Sequence, residues 1–164
     1  MTRGTLGTRN LNLLIQQNAN PPSIEKPEIK IGDRAFRLGD RVIQKRNNYD
    51  LQVFNGDIGY IIEIDSENNL MEVEYKNAEE ERSVVYQKDQ LIELDLAYAI
   101  TIHKSQGSEF DVVIIPIVTQ HYNMLYRNLI YTGLTRAKKM AMFVGTRKAL
   151  GLAVRNLSLI HISE

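Results

Sequence analysis

Asp111-Val-Val-Ile-Ile-Pro-Ile-Val118 is apolar at nearly every position, and that run constrains the fold more than any other feature of the chain. A strand with one wet face alternates apolar and polar residues. A run without alternation belongs to a parallel strand covered on both faces. Met140–Val144 is a second such run. Tyr122–Lys138 between them has helical length, and a last helix is expected after Thr146 with Leu150, Val154 and Leu157 on its inner side. Strand, helix, strand, helix is the order of an α/β unit with a parallel sheet.

Upstream the pattern differs. From Phe36 to Leu94, short strands are expected at Arg41–Lys45, Gly59–Asp65, Leu70–Tyr75, Arg82–Tyr86 and Leu91–Leu94. Met71, Val73 and Tyr75 alternate with Glu72 and Glu74, the mark of a half-buried strand. Gly39-Asp40, Asn55-Gly56 and Asn68-Asn69 supply turn chemistry, because Gly and Asn tolerate positive φ. Five short strands in so little chain predict a small β-barrel. Ahead of it, Thr8 is expected to cap a helix carrying Leu11, Leu14 and Ile15 at helical spacing, which stops before Pro21-Pro22. Residues 20–30 read as a linker. The simplest architecture is an α/β lobe split in sequence, residues 1–27 with 95–164, into which the barrel 28–94 is inserted.

Composition excludes some chemistry. Cysteine is absent and the three histidines are scattered, so no zinc or iron site is expected. No apolar run approaches the roughly 18 residues of a membrane span, and no signal-peptide layout opens the chain; a cytoplasmic location is the default expectation. The formal charge is zero but unevenly spread. Residues 1–48 hold 9 Lys/Arg against 4 Asp/Glu, residues 49–95 hold 3 against 13, and residues 96–164 hold 8 against 3. A polyanion is attracted to the flanks and repelled by the middle.

Two constellations carry chemistry. Thr101-Ile-His-Lys-Ser-Gln-Gly-Ser-Glu-Phe110 gathers polar residues and glycine just before a strand enters the sheet, where polar groups need partners. By itself it also reads as a capped turn with a solvated loop. Tyr131-Thr-Gly-Leu-Thr-Arg-Ala-Lys-Lys139 is expected on the helix before the second apolar run. Arg136 offers a planar fork of donors that stays charged and suits charge developing on a transferred phosphoryl group. Arg136, Lys138 and Lys139 equally suit a helix C-terminus through the macrodipole.

Taken together and in this order, the two constellations resemble motifs V and VI of superfamily 1 helicases. His-Lys-Ser-Gln-Gly-Ser-Glu-Phe110 is similar to the RecD-like branch, the exodeoxyribonuclease V alpha family. Gly39-Asp-Arg-Val-Ile-Gln-Lys-Arg-Asn-Asn-Tyr49 with Val53-Phe-Asn-Gly-Asp-Ile-Gly59 resembles the start of the SH3-like domain 2B of those helicases. Met1-Thr-Arg-Gly, Leu6-Gly-Thr, Leu11-Asn and Asn20-Pro resemble their motif IV region. The resemblance implies a RecA-like lobe of P-loop NTPase type, domain 2A, bearing an inserted SH3-like barrel. It implies Arg136 as an arginine finger, with Gln106, Gly107, Ser108 and Glu109 at the nucleotide and Glu109 towards the ribose. It implies Thr101, His103 and Lys104, with Arg46, Asn47 and Asn55 of the barrel, as contacts to single-stranded DNA. ATP and Mg2+ are the implied cofactors. A first RecA-like lobe of the same polypeptide is the implied partner, as are RecB-like and RecC-like subunits, and movement is 5′ to 3′.

A motor also needs a Gly-x-x-x-x-Gly-Lys-Ser/Thr loop and an acidic magnesium ligand after a strand, and this sequence has neither. The expectation is therefore a C-terminal fragment of an ATP-dependent DNA helicase, inactive alone because its phosphate cradle lies elsewhere. Two alternatives fit the same residues: an SH3-like protein-binding module on an inert lobe, its acidic middle facing a basic partner, and the helicase part of a conjugative relaxase.

Overall fold

The computed structural model describes residues 7–77, 79–105, 108–117 and 135–145. The motif IV stretch from Met1 to Leu6, Gln106 and Gly107, most of the expected helix 122–138 and the expected helix after Thr146 lie outside the described residues. The chain forms two compact units, Met1–Ile100 and Thr101–Glu164.

In the first unit, helix α1 (Thr8–Ala19) is followed by the hairpin β1 (Glu28–Ile31) and β2 (Arg34–Arg37). Next come β3 (Arg41–Gln44), β4 (Ile58–Asp65), β5 (Leu70–Lys76), β6 (Glu81–Tyr86) and β7 (Leu94–Leu96). The last five form an antiparallel sheet in the order β6-β5-β4-β3-β7. It is an open SH3-like sheet and not a closed barrel, with β6 and β7 at its edges. The register sets the core: Ile61, Val73 and Val84 face each other across three strands, and Val42, Met71, Tyr86, Leu91 and Leu94 join them fully buried. Full burial of each such side chain is worth about 1.5–3 kcal/mol. Gly59 has its own reason: a Cβ there would lie 2.6 Å from the Glu74 carbonyl oxygen. Between Ile61 and Glu63 the β4–β5 register shifts, and the bulge leaves Ile62 and Glu63 both exposed before Ile64 returns to the core.

Three further expectations in the first unit need correction. The stretch 20–30 is only partly linker, because Glu28 already begins a hairpin. Ile29 and Ile31 alternate with charged residues, and Gly32 takes φ +62 at the turn. Leu91–Glu93 is a 3-10 turn and the strand comes after it; Gln90 N–H and Leu91 N–H both donate to the Gln87 carbonyl, curling the chain so that Leu91, Glu93 and Leu94 are all buried. Helix α1 spans the expected range, but Gly7 occupies the cap position and Thr8 makes no cap. Its inward face is polar. Asn12, Gln16 and Asn20 are buried one turn apart, whereas Leu14 and Ile15 are exposed.

That polar face meets a buried carboxylate. Asp40, fully buried, accepts four hydrogen bonds of 2.7 Å, from Gln16 Nε2, Asn20 Nδ2, Arg37 N–H and Tyr98 Oη–H. Asn12 pairs with the backbone of Ala99 in both directions, at 2.8 and 2.7 Å. The helix is docked by hydrogen bonds, of which the two from Gln16 and Asn20 to Asp40 are buried.

In the second unit, β8 (Phe110–Ile117) pairs in parallel with β9 (Ala137–Gly145), as the two apolar runs predict. The second strand starts earlier than its apolar run. Thr135 is helical, Arg136 lies in a turn and Ala137 opens β9, so the expected helix ends before Lys138.

Candidate functional site

The Thr101–Phe110 segment is shaped by its own short polar residues. Lys104 N–H donates to Thr101 Oγ1 (3.3 Å), and Ser105 N–H is shared between the carbonyls of Thr101 (3.2 Å) and Ile102 (3.1 Å), which winds His103–Ser105 into a 3-10 turn. Ser105 is buried, its hydroxyl donating to the Ile102 carbonyl, and Ser108 N–H donates back to the Ser105 carbonyl at 3.1 Å. The segment therefore folds on itself before entering β8. His103 projects into solvent; Thr101 and Lys104 are half-buried.

The parallel pairing then joins the two constellations. Phe110 N–H donates to the Arg136 carbonyl at 2.8 Å, one residue before the register partner Ala137. The Arg136 backbone thus pairs with the start of β8, which follows Ser108 and Glu109 directly in the chain. Arg136 is half-buried, and its Nε is buried with no hydrogen-bond partner among the described residues. A buried donor without an acceptor costs about 1–3 kcal/mol. Glu109 is exposed and 3.7 Å from Lys138, and Asp111 is 3.5 Å from Lys139. Those exposed pairs contribute only about 0–1 kcal/mol, but they neutralise the local carboxylates. Lys138 and Lys139 stand on β9, so the helix-terminus explanation for these cations does not apply to them.

The sheet candidates cluster in the first unit. Asn47 Oδ1 accepts from Asn55 N–H at 2.9 Å, which ties both exposed residues to one loop. Arg46 is largely exposed but donates to Glu93 at 2.8 Å. Glu93, missed in the sequence, is buried and also receives Gln44 Nε2 (2.7 Å) and Asn48 Nδ2 (3.1 Å). Burial raises the pKa of its carboxyl; the donors from Asn48, Arg46 and Gln44 outweigh that and hold it below the usual carboxylate value. Behind it, Tyr86 Oη–H donates to Gln44 Oε1 at 2.8 Å, and the Tyr75 and Tyr86 hydroxyls are 2.6 Å apart. Burial and the Glu93 charge push the Tyr86 phenol up to about 12, against the opposing hydrogen bond to Tyr75. The signal for Glu93 was a lone carboxylate amid Leu91, Ile92 and Leu94.

Residues 11–75 match the model of the ATP-dependent RecD-like DNA helicase SH3 domain, and residues 96–144 match that of the UvrD-like helicase C-terminal domain. The chain is similar to the RecD-like helicases. The ATP-dependent RecD2 DNA helicase of Deinococcus radiodurans is 34% identical over 160 residues, covering 93% of this chain and 20% of that protein. The RecBCD enzyme subunit RecD of Buchnera aphidicola is 26% identical, over 88% of this chain and 24% of that subunit. This RecD-like chain therefore spans about a fifth to a quarter of the length of those relatives. A crystal structure of Pif1 helicase from Bacteroides, in complex with ADP-AlF3 and ssDNA, superposes with a TM-score of 0.55 at 19% identity, over 95% of this chain and 43% of that one. At that identity the likeness is one of fold. The two alternatives, binding module and relaxase, are not favoured by these matches.

Proposed function

We propose that this chain is the C-terminal part of an ATP-dependent 5′-to-3′ DNA helicase acting in DNA repair and recombination. In this reading it lends Arg136 to an ATP held chiefly by another lobe of the same polypeptide. The supporting observations are the Phe110–Arg136 backbone bond, which pairs Arg136 with the start of β8 two residues after Ser108, and a buried Arg136 Nε that has no acceptor among the described residues.

ATP supplies the transferred phosphoryl group, and the guanidinium fits its terminal phosphate. The sequence has no Asp-Glu pair ending an apolar strand, and Mg2+ is assigned to the first lobe. Arg136 counters charge spreading over the phosphoryl oxygens, with its Nε–H finding there the acceptor it lacks. Gln106, Gly107, Ser108 and Glu109 edge the nucleotide, with Glu109 towards the ribose. Thr101, His103 and Lys104 at the start of the same segment grip single-stranded DNA through phosphates, independent of sequence. One short turn then couples nucleotide to strand. Residues 28–94 form the inserted module, and 1–27 with 95–164 the incomplete second lobe. RecB-like and RecC-like subunits are the proposed partners and the cytoplasm the proposed location.

The test uses the full-length parent. Arg136→Ala lowers kcat for DNA-stimulated ATP hydrolysis roughly 10³-fold while ATP binding persists, and Arg136→Lys does not restore it. Wild-type turnover in Arg136→Ala removes the role.

A further inference from the structure

The loop that joins β3 to β4 displays two aromatic rings that neither the core nor the phosphate-contact reading uses. Tyr49 is 69% exposed and Phe54 40%, although the loop beneath them is tightly built. Asn48 and Val53 exchange backbone hydrogen bonds at 2.7 and 3.1 Å, Leu51 N–H donates to Asn48 Oδ1 at 3.0 Å, and Gln52 takes the left-handed φ of +55 that closes the turn. Phe54 N–H donates to Asp57 Oδ2 at 2.8 Å, and the Arg82 guanidinium holds the Leu51 and Gln52 carbonyls. Val53, fully buried, anchors the loop from below. The rings lie edge to face, with centroids 5.8 Å apart at 74°. An aromatic pair in this geometry contributes to loop stability whether or not it is exposed. What stability does not require is that both rings be left partly exposed in a segment otherwise rich in Asn and Asp.

We infer that Tyr49 and Phe54 form a stacking platform for unpaired bases of single-stranded DNA, with Arg46 taking an adjoining phosphate. The inference rests on the single-strand reading above and assigns bases to a surface for which that reading had only polar contacts. Arg46, Asn47 and Tyr49 line one shallow depression together with Asp50 and Glu93. Glu93 orients Arg46 from beneath and leaves most of the side chain in solvent. Two carboxylates against one guanidinium make the depression a poor trap for a polyanion by charge alone. Attraction there must come from stacking, which is sequence-tolerant because every base has a π-face. Rings held in place before binding lose little conformational entropy on binding.

Stacking and phosphate contact separate by salt and by base. Fluorescence anisotropy is measured on the polypeptide with every domain it carries, using labelled oligo-deoxythymidine and an abasic strand of equal length, each at low and physiological salt. Tyr49→Ala/Phe54→Ala weakens oligo-deoxythymidine binding about 5-fold or more. It leaves the salt dependence unchanged and does not alter abasic-strand binding. Tyr49→Phe binds as wild type, because the ring remains. Wild-type affinity in the double alanine variant overturns the platform. So does an equal loss on both strands. Failure of the wild type to bind either strand sinks the single-strand reading itself, and the platform with it.

Discussion

Replacing Asp40 by alanine tests whether hydrogen bonds, not apolar contact, hold helix α1. The substitution removes few apolar contacts but strips the acceptor from four donors at 2.7 Å: Gln16, Asn20, Tyr98 and the Arg37 backbone. Each stranded buried donor costs about 1–3 kcal/mol. The four costs do not add in full, since neighbours in one network are coupled and water can enter the vacated space. A loss of about 4 kcal/mol is expected, a large part of the 5–15 kcal/mol that typically separates folded from unfolded. Urea unfolding followed by near-UV circular dichroism reads it, because the chain has eight tyrosines and no tryptophan. With a slope of about 1–3 kcal/mol/M, the midpoint of the first unit falls by about 1–4 M. Adding Tyr98→Phe to Asp40→Ala costs less than Tyr98→Phe alone, because the hydroxyl has already lost its acceptor. A midpoint shift worth under about 1 kcal/mol, or strict additivity of the two substitutions, refutes the claim that this carboxylate organises the helix.

Gly59→Ala forces a Cβ to within 2.6 Å of the Glu74 carbonyl oxygen and 2.7 Å of Val73 Cγ1. Strands β4 and β5 must part, and a loss of about 1–3 kcal/mol in thermal or urea unfolding is expected; an unchanged Tm contradicts the register. Glu93→Gln tests the lowered carboxyl pKa. In acid the unfolded chain protonates this group before the folded protein does, so Glu93 contributes stability above its unfolded pKa of about 4.3, and that contribution is lost as pH falls through the lower folded value. The variant is less stable at neutral pH, and the gap to wild type narrows as pH falls below about 4; a gap that stays constant with pH refutes the assignment.

Much of the strand content was legible because it is local. Met71, Val73 and Tyr75 alternate with glutamates, and β5 forms there; the apolar runs from Asp111 and Met140 lack alternation, and they pair in parallel. The β1–β2 hairpin was also written in Ile29 and Ile31, but the neighbouring Pro21, Pro22 and Pro27 drew that stretch into a linker reading. Helix α1 shows the opposite failure. Its apolar residues at helical spacing were Leu11, Leu14 and Ile15; Leu11 is half-buried, Leu14 and Ile15 are exposed, and the helix docks through Asn12, Gln16 and Asn20. An amide stripe becomes an inner face only when a buried acceptor such as Asp40 lies opposite, and that acceptor is remote in sequence.

The sequence by itself determined where the backbone extends, where it turns, and that Thr101–Phe110 and the stretch around Arg136 carry polar groups at the ends of apolar strands. Residue type and period are enough for that. Only the tertiary structure decided that Phe110 would bond to Arg136, that Glu93 would be buried beneath Arg46, and that Tyr49 and Phe54 would face solvent. Each depends on which distant segment supplies a partner, and a parallel pairing or a buried carboxylate is satisfied by groups that no local pattern names.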